Sequence, residues 1–429
     1  MVDVDQGTAT GRGFALMTFA VNGFLCVAAL LFPFSVAATN AALGTALVLS
    51  VISGLWWRGA IQCWQKFRSL SIAFLAYFTF LLVGLAWSQD LGWGMHIIGR
   101  QWFWLLAPAM AMSLQDQALR RYFLISLSAG LSLNLLFCVL QSFGYVNVAT
   151  VAGSSADNAT GHIGHIGFGF VYGIWAAWLL LMGLRSAGKL RWLYWCLSCW
   201  SYIMIFGALG RSGYVISLVL AIAVMLKWFS GRVGWKHMMS MLGGILILFS
   251  MVMTLGPARE RMLGGWLAVT GSYQNSESFL QKNGRDALQQ RFDMWITTLG
   301  IYRAHPVWGV GTGGLPGAVA ALKSEGKSTA NFLFVHPHNQ YLLALVRWGP
   351  VGLLLLGLML VCWMREGWQN EWHVSESAPL FFLPALALAI HGLSSIAIEE
   401  HFSAMLSVLL LGVALSCEKH TKQKSPMGT

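Results

Sequence analysis

Two arginines stand where a guanidinium group could meet an anionic substrate. Arg211 lies in a glycine-rich turn between two apolar runs, GALGRSG at 207–213. Arg291 begins the segment RFDMW, one helical turn before Trp295. A guanidinium group is a planar fork that binds phosphate or diphosphate through paired hydrogen bonds. In the alternative reading, Arg211 reaches headgroups or water from a tight turn, and Arg291 covers an aromatic ring on the surface.

Two histidines separated by one residue form a second candidate for chemistry. His336 and His338 stand in the segment HPHNQYL, 336–342. A neutral imidazole can take a proton from a hydroxyl near pH 7, so the pair could supply a general base. It could also be structural, at the start of a helix. It could bind zinc, but a third ligand with suitable spacing is not evident; only the segment 399–401, EEH, could complete such a site.

Other patterns point away from common enzyme classes. The glycine-rich segment 309–314, GVGTGG, lacks the Lys-Ser/Thr pair of a nucleotide-binding P-loop and is predicted to be a flexible loop. The chain has no GxSxG nucleophile motif and no paired carboxylates of a glycosidase. Cys196 and Cys199 are expected to lie in one turn of a buried helix, and a disulfide framework is not expected.

The composition places these residues in a membrane protein. Of the 429 residues, 57% are hydrophobic and only 10% are charged, against about 25% charged residues in typical soluble domains. A compact soluble enzyme of this size could not hide so much apolar surface. The bilayer is therefore the expected solvent, and polar residues within it mark functional positions.

Apolar runs bounded by charged or turn residues predict an all-α integral membrane protein with about 12 transmembrane helices. Several runs are shorter than the roughly 20 residues that a straight span needs, so they are expected to extend into their flanks. The runs lie near 13–34, 41–57, 71–87, 93–114, 123–145, 167–184, 193–209, 213–229, 238–256, 345–364, 378–395 and 402–417.

The basic residues orient these spans. The net charge is +11, from 27 Lys and Arg against 16 Asp and Glu. If the N-terminus is cytoplasmic, most of the basic residues fall in cytoplasmic connections, as the positive-inside rule requires. The short connections on the other side hold or border only Arg100 and Arg211. The charge excess thus indicates topology rather than nucleic-acid binding, and both termini are predicted to be cytoplasmic.

One long segment, 257–344, is predicted outside the membrane and divides the chain into three parts. Residues 1–256 hold spans one to nine, and residues 345–429 hold spans ten to twelve and a cytoplasmic tail. Within the loop, residues 284–303 predict an amphipathic helix with apolar residues at three- and four-residue steps. A second helix is expected to start after His338. The predicted apolar stripe of the first helix consists of Leu288, Phe292, Trp295, Leu299 and Tyr302.

Taken together, the chain resembles the O-antigen ligases of Gram-negative bacteria. Their superfamily also includes O-antigen polymerases and bacterial O-oligosaccharyltransferases. The resemblance covers nearly the whole chain through about twelve spans and one large late periplasmic loop. Three local patterns carry it: GRSG at 210–213, RFDMW at 291–295 leading into HPVWGVG at 305–311, and HPHNQYL at 336–342. These patterns do not by themselves separate the members of the superfamily.

The resemblance implies a GT-C-like glycosyltransferase of the bacterial inner membrane with a periplasmic active site. The implied donor is O-antigen on undecaprenyl diphosphate, and the implied acceptor is a sugar hydroxyl of lipid A–core. No cofactor and no metal are expected. Arg211 and Arg291 match family arginines thought to engage the donor diphosphate, and His338 matches the family's essential histidine, with His336 as its partner. Arg261 and Arg100 are added as substrate-binding candidates because of their position at the predicted outer membrane boundary.

The chemistry of these residue types fits such a transfer. A sugar diphosphate has a good leaving group, so no ATP is needed, and guanidinium groups can stabilise the charge that develops on it. His338 could remove the proton of the acceptor, and a single displacement would invert the anomeric centre. The open alternatives are an O-antigen polymerase, an oligosaccharyltransferase that glycosylates proteins, and a polyprenyl-diphosphate transporter. A transporter should carry its arginines nearer the bilayer midplane and use both faces.

Overall fold

The structure is a computed structural model that describes residues 9–147, 154–230, 232–253, 259 and 285–418. The described chain is helical, and its only β-pairing is an isolated bridge between Ser155 and Asn158. This agrees with the predicted all-α class. Arg261 and most of the first half of the long loop lie outside the described residues.

Sixteen α-helices and one short 3₁₀ helix make up the described chain. The first eight are α1 (Ala9–Leu31), α2 (Val36–Ile52), α3 (Leu55–Lys66), α4 (Arg68–Val83), α5 (Leu91–Gly99), α6 (Leu106–Ser113), α7 (Gln117–Ser142) and α8 (His165–Arg185), with the 3₁₀ helix Trp102–Leu105 between α5 and α6. The others are α9 (Gly188–Gly207), α10 (Arg211–Phe229), α11 (Trp235–Met253), α12 (Arg285–Ala304), α13 (Leu315–Ser324), α14 (Gln340–Trp368), α15 (Ser377–His391) and α16 (His401–Ser416).

Several of these helices can cross a bilayer. Five are long and apolar enough: Phe14–Leu31 within α1, α7, α8, α10 and α14. The pair α2–α3 passes the same test together but bends by 85°. Four shorter apolar stretches are Arg68–Val83, Trp102–Ser113, Ser377–His391 and His401–Ser416. The chain is thus a multi-pass membrane protein, and the count of twelve spans stays a prediction.

Two predicted spans are broken in the structure. The run 41–57 crosses the break between α2 and α3, where Gly54 takes a φ of +78°. Glycine adopts this left-handed conformation without strain, so the chain can turn sharply there. The run 93–114 consists of α5, the 3₁₀ helix and α6. Its first break falls at the polar residues Arg100 and Gln101, which interrupt the apolar sequence.

The centre of the bundle is formed by α8 and α16, whose residues are mostly buried. Helix α8 packs on α9, α10 and α15. A Cβ atom built on Gly169 would lie 2.4 Å from the Cα atom of Gly213, so the backbones of α8 and α10 touch. Small residues permit such close packing between membrane helices. This contact fixes the start of α10, where Arg211 lies.

The bundle has two ends. We call the end that carries residues 285–348 the loop end. The opposite end carries the turn 369–376 between α14 and α15. Arg185, the last residue of α8, donates to the carbonyl of Ser375 at 2.7 Å, and Arg120 near the start of α7 lies 3.7 Å from Glu376. Helix α14 therefore runs from the loop end to the opposite end, where α8 ends and α7 and α15 begin.

The segment 309–314 is tightly packed, so its prediction as a flexible loop is wrong. The amides of Val310 and Gly311 donate to the carbonyls of Val346 and Arg347 at 2.9 and 2.8 Å. The hydroxyl of Thr312 donates to the carbonyl of Leu81 at 2.7 Å. The glycines allow the backbone to approach α4 and α14 closely. They serve packing here rather than mobility.

Helix α12 confirms the predicted helix 284–303, but its buried face is different. The buried residues are Met294, Thr297, Thr298 and Ile301, whereas Leu299 of the predicted stripe is exposed. The two threonines are buried because their hydroxyls have partners. Thr298 donates to the carbonyl of Met294 at 2.7 Å, and Thr297 lies 3.0 Å from the hydroxyl of Thr329.

The cysteines behave partly as predicted. All seven are free. Cys196 and Cys199 are exposed on α9, so their prediction as part of a buried turn is wrong. In a membrane helix an apolar residue can face lipid, and apolar character alone therefore does not indicate burial in the protein.

Candidate functional site

The two histidines of the HPH segment lie against each other at the loop end. The ring centroids of His336 and His338 are 4.4 Å apart, and the rings are nearly perpendicular, at 80°. Both side chains are half-buried. His338 has a φ of +52°, and among the described residues it is the only one besides glycine with a positive φ. A non-glycine residue in this conformation carries strain that its surroundings must hold, and such strain is frequent at functional sites.

Helices α12 and α14 hold the HPH segment from two sides. The indole of Trp295 on α12 donates to the carbonyl of Pro337 at 2.8 Å. Asn339 is the N-cap of α14, and its side-chain oxygen accepts from the amides of Tyr341 and Leu342, both at 3.0 Å. An N-cap of this kind satisfies amides that have no partner inside the helix. The bond between Trp295 and Pro337, which are 42 residues apart in the sequence, therefore joins the RFDMW and HPH motifs directly.

A turn between α15 and α16 forms a further wall of the site. The amide of Gln340 donates to the carbonyl of Gly392 at 2.7 Å, and the side-chain amide of Asn339 donates to Leu393 at 3.1 Å. The side-chain oxygen of Gln340 accepts from the amide of Ile398 at 3.2 Å. The start of α14 is thereby tied to residues 392–398.

This turn brings Glu400 to the histidines. One carboxylate oxygen of Glu400 accepts from the hydroxyl of Ser395 at 2.8 Å and lies 3.3 Å from Nε2 of His391. Burial alone would raise the pKa of Glu400, but the bond to His391, the charge of His391 and the bond from Ser395 together bring this pKa below its ordinary value. Glu400 is therefore an anion at neutral pH, and its charge acts on His338 and Arg291.

The surroundings keep both histidines neutral near pH 7. Burial, followed by the neighbouring His336 and Arg291, lowers the pKa of His338 to about 4, and Glu400 opposes this shift. Burial also lowers the pKa of His336, and Glu399 opposes it. Removal from water disfavours a charged imidazolium. Both rings can therefore accept a proton at neutral pH.

Arg291 is the predicted cation whose charge acts on His338. It is half-buried on α12, one turn before Trp295. Burial lowers the pKa of its guanidinium, and Glu400 opposes the shift. Arginine remains charged in proteins even so. Arg291, His338 and Glu400 thus form one electrostatic group, in which an additional anion would find a positive charge beside a neutral base.

A buried ion pair supports the wall that carries Glu400. Arg347 on α14 and Glu399 are 2% and 6% exposed, and both terminal guanidinium nitrogens of Arg347 donate to the carboxylate of Glu399. The carbonyl of Arg347 also accepts from the amide of Gly311. A buried charge is stable only when it is paired. This pair therefore joins α14, the 309–314 segment and the 392–400 turn into one unit.

The other predicted site residues take different positions. Arg100, at the end of α5, is exposed, and its guanidinium lies 3.4 Å from the carbonyl of Glu399. Its charge contributes to lowering the pKa of His336, so it borders the histidine site. Arg211 is half-buried at the first position of α10. Its role in substrate binding stays a prediction, as does that of Arg261, which lies outside the described residues.

Helix α8 connects the Arg211 turn to the site wall. Gly169 of α8 touches Gly213 of α10. The next residue, Phe170, places its ring 5.4 Å from that of His391, which contacts Glu400. The start of α10 and the histidine site therefore share one continuous packed layer at the loop end.

Sequence reasoning missed Glu400, Arg347 and Glu399 as site residues. The sequence pattern of 399–401 indicates only a possible completion of a zinc site. Within the described residues, no group of three or more His, Cys, Asp or Glu side chains is arranged to hold a metal ion. Glu399, Glu400 and Arg347 could have been recognised in the sequence as charged residues at the boundaries of predicted spans, where buried charges are rare and functional.

The comparison with known proteins bears on the same residues. No curated protein matches the chain. One protein family does match, and its description is O-antigen ligase. The matched residues, 196–357, contain Arg211, Arg291, His336 and His338, and with them all three sequence patterns. The match over residues 196–357 thus confirms the resemblance of this chain to the O-antigen ligase family.

Proposed function

We propose that this protein transfers O-antigen polysaccharide from undecaprenyl diphosphate to a sugar hydroxyl of lipid A–core at the periplasmic face of the inner membrane. The family match supports a glycan transfer of the O-antigen ligase and polymerase type. The observation that carries the reaction is the pair of neutral histidines in ring contact at one end of a membrane bundle, with the positive charge of Arg291 acting on His338.

The proposed reaction is a single displacement. The acceptor hydroxyl oxygen attacks the anomeric carbon of the donor, and the bond from that carbon to the diphosphate oxygen breaks. The diphosphate leaves with the bonding electron pair, and the hydroxyl proton passes to the imidazole of His338. Attack opposite the leaving group inverts the anomeric centre. A neutral imidazole is the form that can act as this base.

Arg291 has two effects in this scheme. Its guanidinium stabilises the negative charge that grows on the leaving diphosphate, as preorganised donors do in other transfer reactions. Without substrate, burial first, then His336 and this charge of Arg291, lower the pKa of His338. A bound diphosphate would compensate the charge of Arg291 and remove its contribution, so the pKa of His338 would rise. Donor binding would thus make His338 a stronger base.

The charges proposed for the diphosphate come from protein side chains. Arg211 and Arg291 are the two arginines of the family motifs, and Arg100 borders the site next to Glu399. Three guanidinium groups can balance a diphosphate without a divalent ion. We therefore propose metal-independent transfer.

An apolar cavity of about 480 Å³, lined by Ile98 and Gln101 on either side of Arg100 in the sequence, supports lipid substrates. It lies between α3, α4 and the broken segment 91–113, and its walls include Trp56, Phe74, Phe78, Trp102 and Trp104. Gln101 lines it, and this side chain is 4% exposed with no hydrogen-bond partner for its amide atoms among the described residues. The cavity can take the apolar tail of a lipid whose phosphate lies near Arg100.

Reconstitution tests the acceptor. Purified protein would receive undecaprenyl-diphosphate-linked glycan and lipid A–core in liposomes, without ATP or added metal. Glycan on lipid A–core supports the proposed function. Longer undecaprenyl-linked chains with no lipid A–core product would show a polymerase, which uses the same donor. Absence of both products, with donor bound, would direct attention to a protein acceptor or to transport.

A further inference from the structure

A second large cavity lies at the opposite end of the bundle, away from the histidine site. Its volume is about 480 Å³, and it opens between α7, α8 and α9. The starts of α7 and α15 and the ends of α8 and α16 surround it. None of the residues proposed for glycan transfer lines it, so the inference drawn from it is independent of the proposed function.

The mouth of this cavity is cationic. Three arginines line it, Arg120, Arg121 and Arg185, against one carboxylate, Glu376. Arg120 lies 3.7 Å from Glu376, and Gln117 donates to the same carboxyl group at 3.0 Å. The single carboxylate is therefore already engaged. An excess of two positive charges remains at the mouth of a cavity within the membrane.

The rest of the lining is mostly apolar and is as deep as one leaflet of a bilayer. On α7 the lining residues continue with helical spacing from Arg121 to Ser132. Eleven residues at about 1.5 Å each span roughly 17 Å along the helix axis. One leaflet measures about 20 Å with its headgroups. The apolar wall on α9 consists of Leu190, Leu193, Tyr194 and Leu197.

We propose that this cavity binds one anionic phospholipid of the surrounding leaflet. The phosphate would lie between Arg120, Arg121 and Arg185, and an acyl chain would lie along α7 and α9. A small soluble anion would leave the apolar part of the cavity empty, whereas a zwitterionic lipid would leave the excess positive charge uncompensated. In the predicted orientation this is the cytoplasmic leaflet, where basic pockets between helices bind anionic headgroups.

The bound lipid would stabilise the packing of α7 in the bundle. Helix α7 packs mainly on α1 and has few contacts with α9. A lipid in the cavity would fill the gap between α7 and α9. Its phosphate would also hold the turn 369–376, through the arginines that line the cavity. The bound lipid would therefore raise the thermal stability of the purified protein.

Native mass spectrometry of the detergent-purified protein tests this site with dioleoyl phosphatidylglycerol as the anionic probe and dioleoyl phosphatidylcholine as the zwitterionic lipid with the same acyl chains. One phosphatidylglycerol should be retained preferentially and should raise the melting temperature. Arg121→Gln removes one exposed arginine and should weaken this binding about fivefold, since one basic residue contributes about 1 kcal/mol to an anionic headgroup. Arg68→Gln, an exposed arginine at the start of α4, is the matched control and should change nothing.

A second variant tests the acyl-chain part of the cavity with every arginine kept. Ser128 lines the apolar region on α7, and Ser128→Trp should displace the lipid. Size-exclusion profiles and melting curves show whether the variants are folded. Equal retention of the two lipids, equal effects of Arg121→Gln and Arg68→Gln, or unchanged binding in a folded Ser128→Trp variant would each overturn the proposal.

Discussion

The ion pair between Arg347 and Glu399 gives the sharpest test of how the site is held together. Arg347 is 2% exposed and Glu399 is 6% exposed, so neither charge has access to bulk water. Glu399→Gln keeps the shape of the side chain but leaves the guanidinium without its counter-charge. Breaking a buried pair by removing one partner costs about 3–5 kcal/mol. We expect the free energy of unfolding to fall by about this amount.

Replacing both partners should cost much less than replacing one. In the double variant Arg347→Met with Glu399→Leu no buried charge remains, and such replacements are often neutral or stabilising. The exposed pair Lys327–Glu325 is the matched control, with side chains 69% and 53% exposed and a distance of 2.8 Å. Glu325→Gln should cause no measurable loss, because solvent screens this exposed pair.

Denaturant unfolding in detergent, followed by tryptophan fluorescence, measures these free energies. The large tryptophan content of the chain provides the signal. A loss below about 1 kcal/mol in Glu399→Gln would refute the reasoning, because a buried, unpaired arginine cannot be that stable. A double variant as unstable as Glu399→Gln would also refute it, since the loss would then come from packing rather than from the orphaned charge.

Three further predictions concern the pH dependence, metals and the backbone. The pKa of His338 is about 4, so kcat/KM for transfer should stay constant from pH 8 to about pH 5 and fall as the imidazole gains a proton near pH 4. Glu400→Gln should move this fall to lower pH, because the carboxylate of Glu400 raises the pKa of His338. A wild-type fall near pH 6.5 would contradict the burial of His338. Transfer should persist in EDTA, and a loss that zinc or magnesium reverses would support a metal site. Gly349→Ala should lower the free energy of unfolding by about 1–3 kcal/mol, because φ is +65° and the added Cβ would lie 2.0 Å from the carbonyl of Val307. Gly357→Ala, in open space on the same helix, should cause no loss, and melting curves compare the two.

Local patterns in the sequence predicted the parts of the site that lie close together along the chain. The helix 284–303 and the helix start after His338 were confirmed within one or two residues as α12 and α14. Both depend on local signals, namely apolar periodicity in α12 and the N-cap Asn339 in α14. The histidine pair could also be recognised because its two members are neighbours in sequence.

Contacts between distant segments could not be read from a single sequence. Glu400 lies 62 residues after His338, and the two come together only because residues 392–398 bond to the start of α14. The burial of Thr297 depends in the same way on hydroxyl partners at 328 and 329. The glycines at 309–314 have the composition of a flexible loop, and their packing against residues 84–94 and α14 depends on the close approach of backbones.

The most direct test of the central claim is glycan transfer by a His338→Asn variant reconstituted with donor and lipid A–core. Asparagine tolerates the positive φ of this position but cannot accept the proton at neutral pH. We predict that the variant folds and binds donor, with transfer at least about 100-fold slower than in the wild type. His305→Asn, at an exposed histidine of the same loop, should transfer normally. Transfer by His338→Asn at the wild-type rate would contradict the assignment of His338 as the base.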